Sequence, residues 1–496
     1  MKKLNMSFTL IALLLALLLA GCSLDAPSDP TGQVNDPGPA DASTPYVAIG
    51  NSLTAGFMDS GLMKAGQANS YPMIVATQMG LNKDTFTQPW VDAPGIGTTD
   101  VSESAPNHVA GVLHYNGTGV VPLGVTHEDA VAGLLLAVTQ PTQYHNLGVP
   151  GAFSSDLMNA YSAGSSYGVN LGSPNTFFEF INRAGPMVGL FKNVEVPPNA
   201  PAPGYQTGSQ FYQVIAKGPA LATAWIGGND FLFGATSGEP IGHPAITPAA
   251  VFAQNYGGFL GSLAGGLAGR NGFPTPIIGA TLPLVRNIAY FLDRTTFDAV
   301  FGALQLTFEE ADAEYILFTD FLGSDLPTTP GGELPAAMTL DTAEVAYLDT
   351  EVIGAYNAAI EGTFEMILGT GDVDIGMLPI VDFNAAMDDL RAENPGAARH
   401  FLFHKITNPT GSIADWAAST YFSLDGVHPN NKGYAFVANA FLEKINQVTG
   451  SSWAQVPVDA FVWDPTYGAP IPSNAARGGI TKLSPEVVEA MRMSYR

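Results

Sequence analysis

From about residue 45 onward, the chain alternates between short apolar runs and longer amphipathic stretches. Five of the short runs have no regular alternation of polar and apolar residues, and most end at a glycine. Runs of this length and pattern are typical of strands that are buried on both faces of a parallel sheet. The five predicted strands span residues 46–50, 144–148, 222–227, 276–280 and 377–381.

Amphipathic stretches between these runs predict helices. One spans residues 340–365, and another spans 433–448, with Asn430 and Asn431 as candidate caps before it and Gly450 near its end. Strands that alternate with helices predict an α/β fold with crossover connections. Stretches rich in Gly, Pro, Ser and Thr, at 86–140, 160–210 and 321–338, are predicted to be loops and insertions.

The N-terminus has the features of an export signal. Lys2 and Lys3 precede an apolar run that is long enough for a signal-peptide core and too short for a membrane span. The run ends in Leu-Ala-Gly before Cys22, the only cysteine of the chain, which resembles the lipobox of bacterial lipoproteins. The resemblance implies cleavage after residue 21, lipidation of Cys22 and an anchor in the bacterial cell envelope. The alternative is an ordinary signal peptide with a chance cysteine.

These features divide the chain into four predicted segments. Residues 1–21 form the signal peptide, and residues 22–44, rich in Pro, Gly, Asp and Ser, form a flexible tether. Residues 45–450 form one large domain with insertions. Residues 451–496 form a C-terminal extension, and the sequence leaves open whether it packs on the domain or forms a small appendage.

Composition and charge narrow the class of protein further. The chain is 46% hydrophobic and 13% charged, which is typical of a globular protein rather than a disordered one. Its formal net charge of −25 repels phosphate backbones, so we do not expect it to bind nucleic acid.

Two segments contain residue types that suit nucleophilic catalysis. Ser52 follows the first predicted strand in the segment Gly-Asn-Ser-Leu, on a turn that leads into a helix. Near the other end of the domain, Asp425 stands three residues before His428. A serine hydroxyl needs a histidine base, and a carboxylate on the opposite ring nitrogen fixes the tautomer of that base. Taken alone, Ser52 is as readily explained as a helix N-cap.

Two further segments follow predicted strands. Gly-Gly-Asn-Asp brings Asn229 after the third predicted strand, and an amide side chain there could hold an oxyanion. Asn-Leu-Gly-Val-Pro-Gly, which begins within the second predicted strand and continues past its end, offers Gly151, or the nearby Gly148, as a backbone N–H donor.

Together, these four segments resemble the four conserved blocks of the SGNH (GDSL-type) hydrolases, in the family's order, with Asn51 where the family has Asp. The resemblance implies a three-layer α/β/α, flavodoxin-like fold and metal-independent ester hydrolysis without a cofactor. It implies Ser52 as nucleophile, Asp425 and His428 as its partners, and an oxyanion hole made by Ser52, Gly151 and Asn229. The implied substrate is an acyl lipid or an acylated carbohydrate. The competing hypothesis is a catalytically silent surface lipoprotein that uses the same fold to bind a glycan or lipid.

Other motifs favour structural explanations. Ser166 lies in Gly-Ser-Ser-Tyr-Gly, which matches the nucleophile elbow of another hydrolase fold but lacks a preceding strand. His400 and His404 lack the glutamate of a zinc-peptidase helix, and His145 is predicted to be packed.

An apolar stripe in the long insertion has two explanations. Its residues stand at helical spacing: Phe297, Val300, Phe301, Leu304 and Phe308. They predict one helix, which either packs on the core or covers the active site as a lid over an acyl chain.

Overall fold

The computed structural model describes residues 45–97, 111–123, 144–175, 177–178, 209–369, 375–469 and 482–493. The predicted signal peptide, Cys22 and the tether lie outside these residues. No helix in the described part of the chain is both long and apolar enough to cross a membrane.

Most strands are short and buried. In chain order they are β1 Val47–Gly50, β2 Leu113–Tyr115, β3 Val120–Pro122, β4 Asn146–Gly148, β5 Ala222–Trp225, β6 Ile277–Ala280, β7 Phe291–Asp293, β8 Thr307–Phe308, β9 Ala313–Leu317, β10 Glu333–Leu334, β11 Thr339–Asp341 and β12 Ile380–Val381.

The α-helices vary from one turn to six. They are α1 Ser52–Ala55, α2 Lys64–Gln67, α3 Tyr71–Gln78, α4 Asp156–Asn159, α5 Gln210–Lys217, α6 Asn229–Ala235, α7 Ala249–Asn271, α8 Arg294–Phe301, α9 Phe318–Gly323, α10 Thr342–Ala346, α11 Ile353–Leu368, α12 Phe383–Glu393, α13 Phe401–Thr407, α14 Ile413–Ser419, α15 Asn431–Thr449 and α16 Pro485–Met493.

Five strands form the central sheet, and all of them are parallel, in the order β12-β6-β5-β1-β4. Each corresponds to one of the five apolar runs, so the predicted strands are confirmed. Gly50 at the end of β1 lies beside Gly148 of β4 and Trp225 of β5. The segments that follow these three strands therefore leave the sheet at the same edge, which is where ligand sites of α/β proteins form.

Helices cover both faces of this sheet. On one face, α3 and α15 pack together, and the stacked rings of Tyr71 and Phe441 lie against Trp225. On the other face, Gly279 of β6 lies against Phe364 of α11, and α11 packs on α7, which packs on α5. The fold is therefore mixed α/β with a central parallel sheet, compatible with the predicted three layers.

The predicted helix at 433–448 corresponds to α15. The side chain of Asn430 accepts a hydrogen bond from the N–H of Gly433, and Gly450 closes the helix in the left-handed conformation. The predicted helix at 340–365 needs a correction at its start, because Leu340 belongs to β11. The helix begins after Asp341, which caps it in a reciprocal capping box with Glu344.

The insertion between β6 and β12 carries its own antiparallel sheet, in the order β11-β9-β7. The prediction of one helix through Phe308 is wrong, because α8 ends at Phe301 and Phe308 lies in β8. Phe297 and Phe301 are buried against Phe321 of α9, with ring centroids 4.9 and 5.0 Å apart. This packing favours the core explanation of the stripe over the lid.

The described part of the C-terminal extension packs on the domain. The N–H of Tyr115, in strand β2 of the β2–β3 hairpin, donates a hydrogen bond of 2.7 Å to the carbonyl of Pro465. Trp463 is buried, and so is Val456, whose backbone bonds with Asn439 of α15.

Candidate active site

The turn after β1 presents Ser52 at the edge of the sheet. Asn51 caps α1 by accepting a hydrogen bond of 3.1 Å from the N–H of Leu53, and Ser52 is the first helical residue. Position 50 requires glycine, because a Cβ there would lie 2.3 Å from both the Thr54 hydroxyl and the Trp225 carbonyl. The serine is thus fixed by a strand, a cap and a close backbone approach.

A second tight turn holds Asp425 and His428. The N–H of Ser423 donates to the carbonyl of His428 at 2.8 Å, and Gly426 supplies a positive φ of 75° between them. The backbone N–H groups of Val427 and His428 both donate to Asp425 Oδ1, at 2.9 and 2.8 Å. This local folding brings the carboxylate back to the imidazole three residues further along.

Ser52, His428 and Asp425 form a continuous hydrogen-bonded chain. Nδ1 of His428 lies 3.1 Å from Asp425 Oδ2, and Nε2 lies 2.9 Å from Ser52 Oγ. An ionised carboxylate can only accept hydrogen bonds, so Nδ1 carries the ring proton of the neutral imidazole. Nε2 is then free to accept the proton of the serine hydroxyl, as a general base must.

The environment of Asp425 favours its ionised form. Burial of the carboxyl opposes ionisation, but the positive charge of His428 in its protonated form and the hydrogen bonds from His428 and the Ser60 N–H lower the pKa of Asp425 to about 2. The Ser60 N–H donates to the same Oδ2 atom as the imidazole, at 2.8 Å. Asp425 is therefore a carboxylate across the physiological pH range.

The imidazole is also held by packing. The ring of Phe57 lies 4.8 Å from the ring of His428, and the Tyr434 hydroxyl donates to the Phe57 carbonyl at 2.6 Å. Ser52 and His428 are only 3% and 2% exposed. Hydrogen bonds between them therefore face little competition from water.

Asn229, the predicted oxyanion donor, is the first residue of α6 and lines the same cavity as Ser52 and His428. Its Nδ2 donates to the carbonyl of Ala152 at 2.8 Å, which fixes the orientation of the amide. An amide nitrogen carries two hydrogens, so one remains for an acceptor in the cavity.

Gly151 lies in the turn after β4, with a φ of 75° that suits glycine. The turn is tied to the site because the N–H of Val149 donates to the Gly50 carbonyl and Asn229 donates to Ala152. Gly148 is not the donor, because its N–H is already engaged by the side chain of Asn146 at 3.0 Å. Gly151 does not line the cavity, so its part in an oxyanion hole stays a prediction.

The cavity beside Ser52 is open to solvent on one side, and the space between its walls, part of it open solvent, is about 760 Å³. At its polar end lie Asn51, Ser52, Asn229 and His428, and most of the remaining wall is apolar.

The competing motifs have structural roles. The hydroxyl of Ser166 donates to the Ala163 carbonyl at 2.7 Å and accepts from the N–H of Asn175, between two 3₁₀ turns rather than on a strand-to-helix elbow. His400 caps α13 and bonds with the Leu424 carbonyl through Nε2, and burial lowers its pKa to about 4. His404 bonds with the Gly396 carbonyl.

His145 and a group of carboxylates in the insertion also lie outside the cavity at Ser52. His145 is packed, with its Nδ1 close to the Thr87 N–H and hydroxyl. Among the described residues, one group of three side chains could hold a metal ion: Glu310, Asp341 and Glu344. It belongs to the insertion, and none of its members lines the cavity at Ser52.

Two buried aspartates near the site were not predicted. Asp59 lies beside the turn of Asp425, and Asp230 accepts hydrogen bonds from the N–H and hydroxyl of Ser154, at 2.8 and 2.7 Å. Asp230 adjoins Asn229 and so ties α6 to the segment that follows Gly151. The sequence could have indicated Asp230, because it follows Asn229 in the Gly-Gly-Asn-Asp segment, whereas Asp59 belongs to no motif.

Comparison with protein-family profiles, with curated proteins and with solved structures found no match to this chain. Its resemblance to the SGNH hydrolases therefore depends on the four segments themselves and on the geometry in which they meet.

Proposed function

We propose that the chain is a serine ester hydrolase of the SGNH type. The single observation that carries the proposal is the buried hydrogen-bonded chain from Asp425 through His428 to Ser52, at the polar end of a cavity. Serine, histidine and aspartate in this geometry are the components of an activated nucleophile. A glycan- or lipid-binding protein has no need to hold these three groups in hydrogen-bonding contact.

In the proposed reaction, Ser52 Oγ attacks the ester carbonyl carbon while His428 Nε2 takes the serine proton. The carbonyl oxygen becomes an oxyanion, held by the N–H groups of Ser52 and Gly151 and by the side chain of Asn229. Collapse of the tetrahedral intermediate expels the alcohol, which receives the proton from His428. Water then hydrolyses the acyl-serine by the same two steps, and Asp425 holds the imidazole in the required tautomer throughout.

We further propose that the mature protein is an exported lipoprotein, anchored in the bacterial cell envelope through Cys22. The support is the position of this unique cysteine directly after a charged and then apolar N-terminus. A tether of about twenty residues would allow the domain to reach substrate away from the anchor.

The test is covalent labelling by a serine-directed fluorophosphonate, together with ester hydrolysis. Wild-type protein is expected to react, and Ser52→Ala is expected to lose both labelling and hydrolysis. Ser166→Ala is the matched control, a buried serine outside the site, and should retain both. Absence of labelling in the folded wild-type protein would favour the silent binding protein, and a label on Ser166 would refute the assigned nucleophile.

A further inference from the structure

The wall of the cavity away from Ser52 is formed by contiguous aromatic and aliphatic side chains. Phe383 of α12 packs between Trp225 and Phe436, with ring centroids 5.0 and 6.3 Å away. Met387, one turn further along α12, and Ile288 continue the same lining. The wall therefore belongs to both α12 and α15 and to the end of β5.

Few polar groups on this wall are left for a substrate. Trp225 Nε1 donates to the Thr281 carbonyl at 3.2 Å, and the Asn287 amide is engaged by Asn384 and Arg391. Among the described residues that line the cavity there is no Lys, Arg, Asp or Glu. A sugar against this wall would find few replacements for its hydrogen bonds to water, whereas a hydrocarbon chain would gain from leaving water.

We infer that this cavity holds the acyl chain of the substrate, so the enzyme acts on esters of medium- or long-chain fatty acids rather than on acetylated carbohydrates. The inference rests on the proposed function. The ester carbonyl would lie at the polar end, beside Ser52 and Asn229, and the acyl chain would extend toward Met387. The alcohol group would lie toward the open side of the cavity.

The first experiment measures kcat/KM for p-nitrophenyl esters from acetyl to palmitoyl. Each methylene that enters the apolar wall is expected to raise kcat/KM about fourfold until the cavity is filled. Acetates of long alcohols, the second arm, should show no comparable rise. A flat or falling dependence on acyl length in protein whose Ser52 still reacts with fluorophosphonate would overturn the acyl-chain inference alone. Loss of both labelling and hydrolysis would instead overturn the proposed function.

The second experiment fills the cavity. Met387→Trp, and independently Ile288→Phe from another element, should lower the ratio of long-chain to acetyl activity at least tenfold. Leu390→Met is the matched control on α12, because Leu390 is buried but does not line the cavity. Fluorophosphonate titration counts the intact sites in each variant. An unchanged ratio in both filled variants would place the acyl chain elsewhere and refute the inference.

A different observation carries a second inference. Asp59 is fully buried and connects three segments of the chain through its side chain. Its Oδ1 accepts from the N–H of Leu424 at 2.7 Å, and its Oδ2 accepts from Trp463 Nε1 and the Tyr467 hydroxyl, at 3.1 and 2.5 Å.

The backbone around Asp59 also contacts the turn that carries Asp425. The N–H of Asp59 donates to the Ser423 hydroxyl at 3.1 Å, and the next N–H, of Ser60, donates to Asp425. Asp59 and Ser60 both have positive φ, 56° and 57°, which non-glycine residues rarely adopt. Such a conformation persists where the surrounding contacts enforce it, and it is what directs the Ser60 N–H at the carboxylate.

We propose that Asp59 is a positioning residue, through which the C-terminal extension fixes Asp425 against His428. Without the donors from Trp463 and Tyr467, the 59–60 turn would relax and the Ser60 N–H would no longer hold Asp425. A displacement of the order of 1 Å at a catalytic group lowers turnover by up to about a hundredfold.

We therefore expect a lower kcat, per site titrated by fluorophosphonate, in each of three variants: Asp59→Asn, Trp463→Phe and Tyr467→Phe. The decrease should be about tenfold or more for Asp59→Asn, and KM should be unchanged in all three. Trp453→Phe is the matched control, an aromatic residue of the same extension that does not contact Asp59. A purely structural role would lower the melting temperature and the number of titrated sites but leave kcat per site at the wild-type value. That outcome would refute the positioning role.

Discussion

Replacement of Asp425 by Asn tests the charge at the centre of the site with a nearly isosteric change. Each carboxylate oxygen of Asp425 accepts two hydrogen bonds, Oδ1 from the N–H groups of Val427 and His428, and Oδ2 from the Ser60 N–H and the imidazole. An amide has only one acceptor oxygen, so its NH₂ group must face two of these donors in either orientation.

With the NH₂ group toward His428, the ring must accept at Nδ1 and carry its proton on Nε2. The imidazole then donates to Ser52 and cannot take the serine proton. In a Ser-His-Asp triad, this error of tautomer lowers kcat about ten-thousandfold. Initial rates on a p-nitrophenyl ester at neutral pH measure the effect. A kcat within tenfold of wild type would refute the assignment of Asp425 as the partner of His428.

Asp425→Asn should also be less stable than the wild-type protein, by an amount that depends on pH. Because its pKa of about 2 in the folded protein lies below the usual aspartate value of 3.8, ionisation of Asp425 stabilises the fold. Because the folded pKa is the lower one, this stabilisation is present above pH 3.8 and is lost as the pH falls toward 2. The free energies of unfolding of the two proteins in urea should therefore differ more above pH 3.8 than near pH 2, and a difference that grows in acid would contradict the sign.

Three further predictions concern the other parts of the chain. Asn229→Ala should lower kcat about a hundred- to a thousandfold with little change in KM, and an effect confined to KM would mean that Asn229 binds the ground state instead. Phe301→Ser should lower the free energy of unfolding by about 3 kcal/mol and reduce long-chain and acetyl activities together, since Phe301 is buried; a selective loss of long-chain activity would restore the lid hypothesis. Cys22→Ser should move the protein out of the membrane fraction or leave its precursor uncleaved, and wild-type protein without bound acyl chains would contradict lipidation.

The central sheet could be predicted because its strands are buried on both faces. A strand in that position is mostly apolar, and its buried polar residues are hydrogen-bonded, as Asn146 of β4 is to the Thr54 carbonyl. Each of the five runs was therefore visible without knowledge of its neighbours. Their order in the sheet was not, because β1 pairs with β4 and β5, which begin about a hundred or more residues further along. Such pairing depends on packing between distant segments.

Helix α7 shows how composition can hide an element. Gly257 and Gly269 are the first and last of six glycines in this helix, and each glycine disfavours a helix by about 1 kcal/mol relative to alanine. The helix forms because its large residues share one face, which is buried on α11 and α5. One glycine also permits close packing, since a Cβ at Gly266 would lie 2.6 Å from the side chain of Ile215.

The site itself was only partly predictable. Asp425 and His428 are three residues apart, so their contact follows from a local turn, whereas Ser52 meets His428 across 376 positions and depends on the whole fold. Asp59 gave no signal at all, because its donors Trp463 and Tyr467 lie about four hundred residues away. Burial of an aspartate by distant partners has no local sequence pattern.

Asp425 and three other buried aspartates, Asp59, Asp230 and Asp156, differ in one physical respect that separates their roles. Asp156 is the first residue of α4, and its side chain accepts a hydrogen bond from the N–H of Phe153. Burial raises the pKa of Asp59 and of Asp156 to about 7 and that of Asp230 to about 6, although each accepts hydrogen bonds from the chain. Asp425 is equally buried and equally well bonded, yet its pKa falls to about 2, because it alone among them faces an imidazole that can take a positive charge. A carboxyl that stays ionised in a buried site can stabilise the imidazolium of His428 during turnover. The other three are suited to holding loops in place, whereas the contact of Asp425 with His428 Nδ1 suits it to be the carboxylate of the proposed triad.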